Sequence, residues 1–152
     1  DNQNFFEALR YQILDAYLGV SYVNRSKAAL PSFLKEMNET VKSTEALQAR
    51  VKGNKSAMEL EAYVGTFENE LYGPVVIEKD KSGKGLVIDF KGHNNLVGNL
   101  QYMDHEEWLL TYNNLAFGIF PVKFKIADKK VVSIELKVNP STDYDTYNFI
   151  KK

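Results

Sequence analysis

From Met58 onward the chain is written in short runs of Val, Ile, Phe and Tyr, cut at intervals of roughly 8 to 12 residues by clusters of Gly, Asn, Asp and Lys. No other feature restricts the fold as much. The runs are strand-length, and the clusters between them, "DKSGKG", "GHNN", "MDHEE" and "ADKK", are too short to carry the crossover that a parallel pair requires. Neighbouring strands must therefore pair as antiparallel hairpins. The spacing predicts strands over 62–68, 74–79, 85–91, 96–103, 108–113, 118–126, 130–138 and 145–150. Val122, Phe124 and Ile126 alternate with Lys123 and Lys125, and Val132, Ile134, Leu136 and Val138 alternate with Ser133, Glu135 and Lys137, so one face is buried and the other is wet. Eight sequential strands of this kind satisfy their edges by curling into an eight-stranded antiparallel up-and-down, lipocalin-like barrel or a strongly bent sheet.

Ahead of the strands the period changes. Phe5, Phe6, Leu9, Ile13, Leu14, Tyr17 and Leu18 recur at three- and four-residue steps, which predicts a helix over 4–18 stopped by Gly19. A second, mostly solvated helical stretch is expected after Pro31, carrying Phe33, Leu34, Met37, Val41, Leu47 and Val51, with Ser43-Thr44 as a place where it can break. "GNKS" at 53–56 reads as a polar linker. The chain thus divides into a helical arm and connector over 1–57 and a β domain over 58–152, mainly β with N-terminal helices.

A net charge of −1 leaves no excess to attract phosphate backbones or anionic surfaces, so a nucleic-acid partner is not expected. Cysteine is absent, which removes disulfides, thiolate metal sites and cysteine nucleophiles. No apolar run reaches the roughly 18 residues of a membrane span, and no basic-apolar leader is visible. A chain starting at Asp1 is expected to be a processed or excised piece of something longer.

Three short motifs invite a catalytic reading. Ser32-Phe33-Leu34-Lys35 spells Ser-x-x-Lys, Lys81-Ser82-Gly83 resembles a relaxed Lys-Thr-Gly, and Tyr112-Asn113-Asn114 matches Tyr-x-Asn, the set used by penicillin-recognising serine enzymes. With sixteen Lys and eight Ser in 152 residues, about one accidental Ser-x-x-Lys is expected, and one is present. The order also fails, because here the Lys-Ser-Gly precedes the Tyr-x-Asn. A serine nucleophile further needs a desolvated base and an oxyanion hole, which this chain has no domain to build. Ser32 is expected to serve the first turn of a helix instead, and no catalytic residue is assigned.

His93 and His105 are the only imidazoles. Asp104-His105-Glu106-Glu107 has ligand chemistry but not ligand geometry, since consecutive turn residues point apart; a solvated turn is expected, and neither metal nor cofactor is assigned. No two acidic positions fall on the apolar faces, as glycoside chemistry would require. Nine Tyr and nine Phe fit a small apolar ligand inside the barrel or, more simply, the filling of the barrel by its own side chains.

The cadence Tyr63-x-Gly65-x-Phe67, Tyr72-Gly73 and Gly85-Leu86, followed by Asp104, Trp108, Phe124, "ADKKVVSIEL" and Phe149, resembles the C-terminal domain of unknown function appended to β-lactamase-related serine hydrolases. "FFEALRYQILDAYLG" is similar to the last helix of their catalytic domain. The resemblance implies a non-catalytic accessory domain. Its partner would be the catalytic domain of the same parent chain, or another copy through the N-terminal helix, at a periplasmic or cell-surface address. Tyr63, Gly65, Phe67, Tyr72, Gly73, Leu86, Trp108 and Phe124 are then structural motif positions. The alternative is a free-standing lipocalin-like barrel binding a small apolar ligand.

Overall fold

The computed structural model describes residues 3–139 and 142–152. Eight strands follow one another round a closed barrel, β1 (Gly65–Asn69), β2 (Gly73–Lys79), β3 (Leu86–Phe90), β4 (Val97–Asp104), β5 (Glu107–Tyr112), β6 (Ile119–Ala127), β7 (Lys130–Leu136) and β8 (Tyr147–Lys151). Each is antiparallel to the next, and β8 returns to β1 through Phe67↔Lys151 and Glu68↔Ile150. The expected eight-stranded antiparallel barrel is present, and closure leaves no strand edge to protect. Two helices precede it, α1 (Gln3–Tyr17) and α2 (Arg25–Ala49).

The chain forms two compact units, Asp1–Glu45 and Ala46–Lys152. In the first, α1 stops where Gly19 adopts φ +67°. The Val20 N–H then reaches the Asp15 carbonyl at 2.9 Å and the Gly19 N–H reaches that of Ala16 at 3.4 Å, a Schellman ending. Arg25, at the start of α2, grips Asp15 with Nε at 2.7 Å and Nη2 at 3.0 Å. That ion pair lowers the Asp15 pKa through the Arg25 hydrogen bond, against the opposing effect of burial.

The second helix departs from the sequence expectation. It starts before Pro31, because Asn24 caps it: the Asn24 side chain accepts the Lys27 N–H at 2.9 Å. Pro31 therefore sits inside the helix, and Ser32 lies beyond the first turn it was expected to serve. Ser43 does not break α2, since its hydroxyl bonds back to the Thr40 carbonyl at 2.8 Å within the helix.

Alternation along the strands fills the barrel interior. Phe67, Val75, Ile77, Leu86, Ile88, Phe90, Leu100, Trp108, Leu110, Phe124, Ile134, Leu136 and Phe149 are all buried in one cluster, as an eight-stranded barrel requires of its inward residues. In β7 the expected set shifts. Val131 is buried and Val132 only partly so, because the pairing with β6 slips between Lys125 and Ile126, and a one-residue slip turns a side chain to the other face. Gly98 in β4 also faces inward, where a Cβ would come within 2.4 Å of Leu110 Cδ1 and 3.2 Å of Ile88 Cγ2. Leu110 and Ile88 are fully buried and have nowhere to retreat. Gly98→Ala is expected to destabilise the barrel by about 1–3 kcal/mol through overpacking, seen as a lower urea midpoint; an unchanged midpoint would show that Leu110 can swing aside.

Candidate functional site

Antiparallel order sorts the connections to two ends of the barrel. Turns 70–72, 91–96 and 113–118 and the described residues 137–139 and 142–146 share one end; turns 80–85, 105–106 and 128–129 share the other with the entering segment 57–64.

The first end is held by Asp143, a residue that sequence reasoning did not single out. One carboxylate oxygen accepts the backbone N–H groups of Val138 at 2.8 Å and Asn139 at 2.9 Å, and the other accepts the Tyr72 hydroxyl. Burial opposes ionisation of Asp143, but these donors outweigh it and lower its pKa. Burial first, and then the bond to Asp143, push the Tyr72 phenol well up. Tyr112, also raised by burial, donates to the Lys137 carbonyl at 2.8 Å. The ring of Tyr72 lies 5.0 Å from that of Tyr147 and 5.9 Å from that of His93.

The second end is held by the acidic turn. Asp104 and Glu107 both receive the Arg50 guanidinium, with Arg50 Nη2 at 2.6 Å from Glu107. The Arg50 hydrogen bond brings Asp104 down to about 2. Glu106 accepts the Tyr63 hydroxyl at 2.8 Å and the Ala57 N–H at 3.1 Å, while Asn54 donates to the Met103 carbonyl at 3.2 Å. Burial and the Glu106 carboxylate together raise the Tyr63 phenol. The turn was expected to be solvated; instead its carboxylates pin residues 50–57 to the barrel. His105 projects into solvent. Among the described residues no group of three or more His, Asp or Glu side chains converges as a metal site.

The catalytic look-alikes do not assemble within the barrel. Lys81, Ser82 and Gly83 form the β2–β3 turn, closed by the Gly83 N–H on the Asp80 carbonyl at 3.0 Å, whereas Tyr112 lies at the opposite end. Ser32 is exposed on α2, and Lys35 faces Glu39 at 3.9 Å. Of the motif positions, Tyr63, Phe67, Leu86, Trp108 and Phe124 meet in the interior cluster and Tyr72 packs against its rim. Gly73 follows the β1–β2 turn with φ +71°, and Gly65 opens β1. The Tyr63 ring stands 5.0 Å from Trp108 and 4.9 Å from Phe124. The interior is thus occupied by its own aromatics.

A cleft of about 750 Å³ lies where the segment 51–60 faces the β2–β3 turn and strands β4 and β5. That volume falls within the ~300–1,000 Å³ typical of small-molecule sites. Asn99 and Gln101 line it from the outer face of β4, with Thr111 directly across from Asn99 on β5. These three side chains make no hydrogen bond to any described residue, unlike the committed polar groups at both barrel ends. Met58, Leu60 and the partly buried Tyr102 form its apolar part, with Trp108 behind them. Trp108 is 1 % exposed, and its indole Nε1–H has no hydrogen-bond partner among the described residues, which is uncommon for a buried donor.

Residues 49–151 match the family model described as "Domain of unknown function (DUF3471)". No curated protein and no solved structure matches the chain.

Proposed function

This chain belongs to the DUF3471 family of domains of unknown function, and from that premise we propose that it is a non-catalytic accessory domain of a β-lactamase-related serine hydrolase. The catalytic domain of the parent chain precedes the barrel, α1 is the last helix of that domain, α2 is the connector, and the parent works in the periplasm or at the cell surface.

The observation that carries the reading is the state of α1. A helix in a globular protein draws most of its stability from burying an apolar face. Yet Phe5, Phe6, Leu9, Ile13 and Leu14 remain 62 %, 60 %, 44 %, 49 % and 46 % exposed, and Ala8 is the buried hydrophobic of the described part of this helix. Such a stripe fits a helix made for a partner. Its similarity to the closing helix of the catalytic domain supplies the identity of that partner.

The residues encoded immediately upstream of Asp1 test the proposal. They are expected to contain Ser-x-x-Lys, Tyr-x-Asn and Lys- or His-x-Gly in that order over the length of a catalytic domain; any other upstream domain overturns it. In a chromogenic β-lactam or ester assay, the present chain is expected to turn over nothing above buffer. Acylation of Ser32 detected by mass spectrometry would contradict the accessory role.

A further inference from the structure

We propose that the cleft between the segment 51–60 and the outer face of β4 and β5 binds a neutral oligosaccharide. The inference rests on the cleft alone and stands whether or not the barrel has a hydrolase parent.

Four features of the cleft select the ligand. First, Asn99, Gln101 and Thr111 form an outward row of two amides and a hydroxyl. Alternate residues of one strand stand about 7 Å apart. An amide offers both donors and an acceptor, as a sugar's adjacent hydroxyls do in return. Second, the charges round the cleft cancel: Lys55 and Lys84 are matched by Glu59 and Asp80. Asp80 is moreover turned inward on its own loop, accepting the Ser82 hydroxyl at 2.8 Å and the Lys84 N–H at 3.1 Å. No net field remains to favour a phosphate or a cation. Third, Met58 and Leu60 of the facing segment supply apolar surface to the cleft, and the two faces of a pyranose, C–H on one side and hydroxyl on its rim, match that pairing of apolar wall and amide row. Fourth, an extended peptide would gain its affinity by adding a strand to a free sheet edge, and the closed barrel has none.

Trp108 supplies a readout. It is the chain's only tryptophan and it is buried directly behind the cleft wall, so a ligand that orders that wall alters the environment of the single indole. The full chain titrated with N-acetylchitotriose and with maltotriose is expected to give a saturable change in tryptophan emission, together with a calorimetric isotherm, for at least one of them. The Asn99→Ala/Gln101→Ala double variant changes two exposed side chains, and its far-UV circular dichroism and urea midpoint should match the parent. Its affinity is expected to fall at least ~10-fold, in line with the loss of hydrogen-bonded recognition. Thr111→Val repeats the test should the double variant fold poorly. The proposal is overturned by the absence of saturable binding up to ~10 mM sugar, where even a weak site fills. Equal binding by parent and variants, or tighter binding of inorganic phosphate or of a neutral extended peptide than of either sugar, overturns it as well.

Discussion

Phe124→Ala is expected to lower the stability of the barrel by about 3–5 kcal/mol, the cost of removing a large aromatic from a packed core and leaving its space unfilled. Phe124 is 2 % exposed and central to one half of the interior: its ring lies 4.9 Å from Tyr63, 5.6 Å from Trp108 and 6.1 Å from Phe67, all edge-on or nearly so. Its removal deletes three aromatic contacts, each worth about 0.5–1.5 kcal/mol beyond area burial. Collapse cannot refill the site, because neighbouring strands fix those rings on three sides. Against a total stability of about 5–15 kcal/mol for a domain of this kind, the loss is a large fraction. Urea unfolding followed through Trp108 emission should show the midpoint falling by about 1 M or more. Lys125→Ala, one residue along on the wet face, should move it by less than a few tenths. Comparable shifts for the two variants would mean that the interior is not packed around Phe124.

Much of this arrangement is legible in the sequence, for a physical reason. Strand periodicity is local, so "PVKFKIA" declares Val122 and Phe124 inward without reference to the rest of the chain, and short polar turns force antiparallel neighbours. Where the reading slipped, the deciding interaction was one that periodicity does not encode. In β7 two adjacent valines fit either face, and the extra residue that β7 itself carries, Val132, opposite Lys125 and Ile126 of β6, turned Val131 inward. In α2 the proline looked like a helix start, but a side-chain cap at Asn24 had already begun the helix. The roles of Asp104, Glu106 and Glu107 depend on a segment some fifty residues earlier, Arg50 to Ala57, crossing their turn. The cleft is similar. Alternation in "VGNLQY" places Asn99 and Gln101 outward, yet only the path of residues 51–60 makes their outer face the wall of a concavity.

Asp143→Ala should be nearly as costly as the loss of Phe124, by a different route. The carboxylate is 5 % exposed and is the acceptor for two backbone N–H groups and a phenol. Truncation removes the acceptor of the buried Val138 N–H and of the part-buried Tyr72 phenol, and a buried donor left without an acceptor costs about 1–3 kcal/mol. A loss of about 3 kcal/mol is expected, with Val138 and Asn139 released from Asp143 at the barrel end. Asp143→Asn keeps an oxygen acceptor but no charge, and separates the two contributions. The native pKa of Asp143 is lowered by its donors, while an unfolded Asp titrates near ~3.9. Below that value the unfolded chain therefore binds a proton that the native carboxylate refuses. The stabilisation is complete above pH ~4 and is lost as pH falls through the native pKa. Asp104, lowered to about 2 by the Arg50 hydrogen bond, loses its contribution over the same acid range, so the wild-type slope alone cannot be credited to either residue. The difference between the wild type and Asp143→Asn can: above pH 5 the stability gap should be constant, and below pH 4 it should narrow as the wild-type carboxylate protonates. Parallel urea midpoints from pH 6 down to pH 2.5 would show that charge on Asp143 contributes nothing, and that the Tyr72 end is held by shape and neutral hydrogen bonds alone.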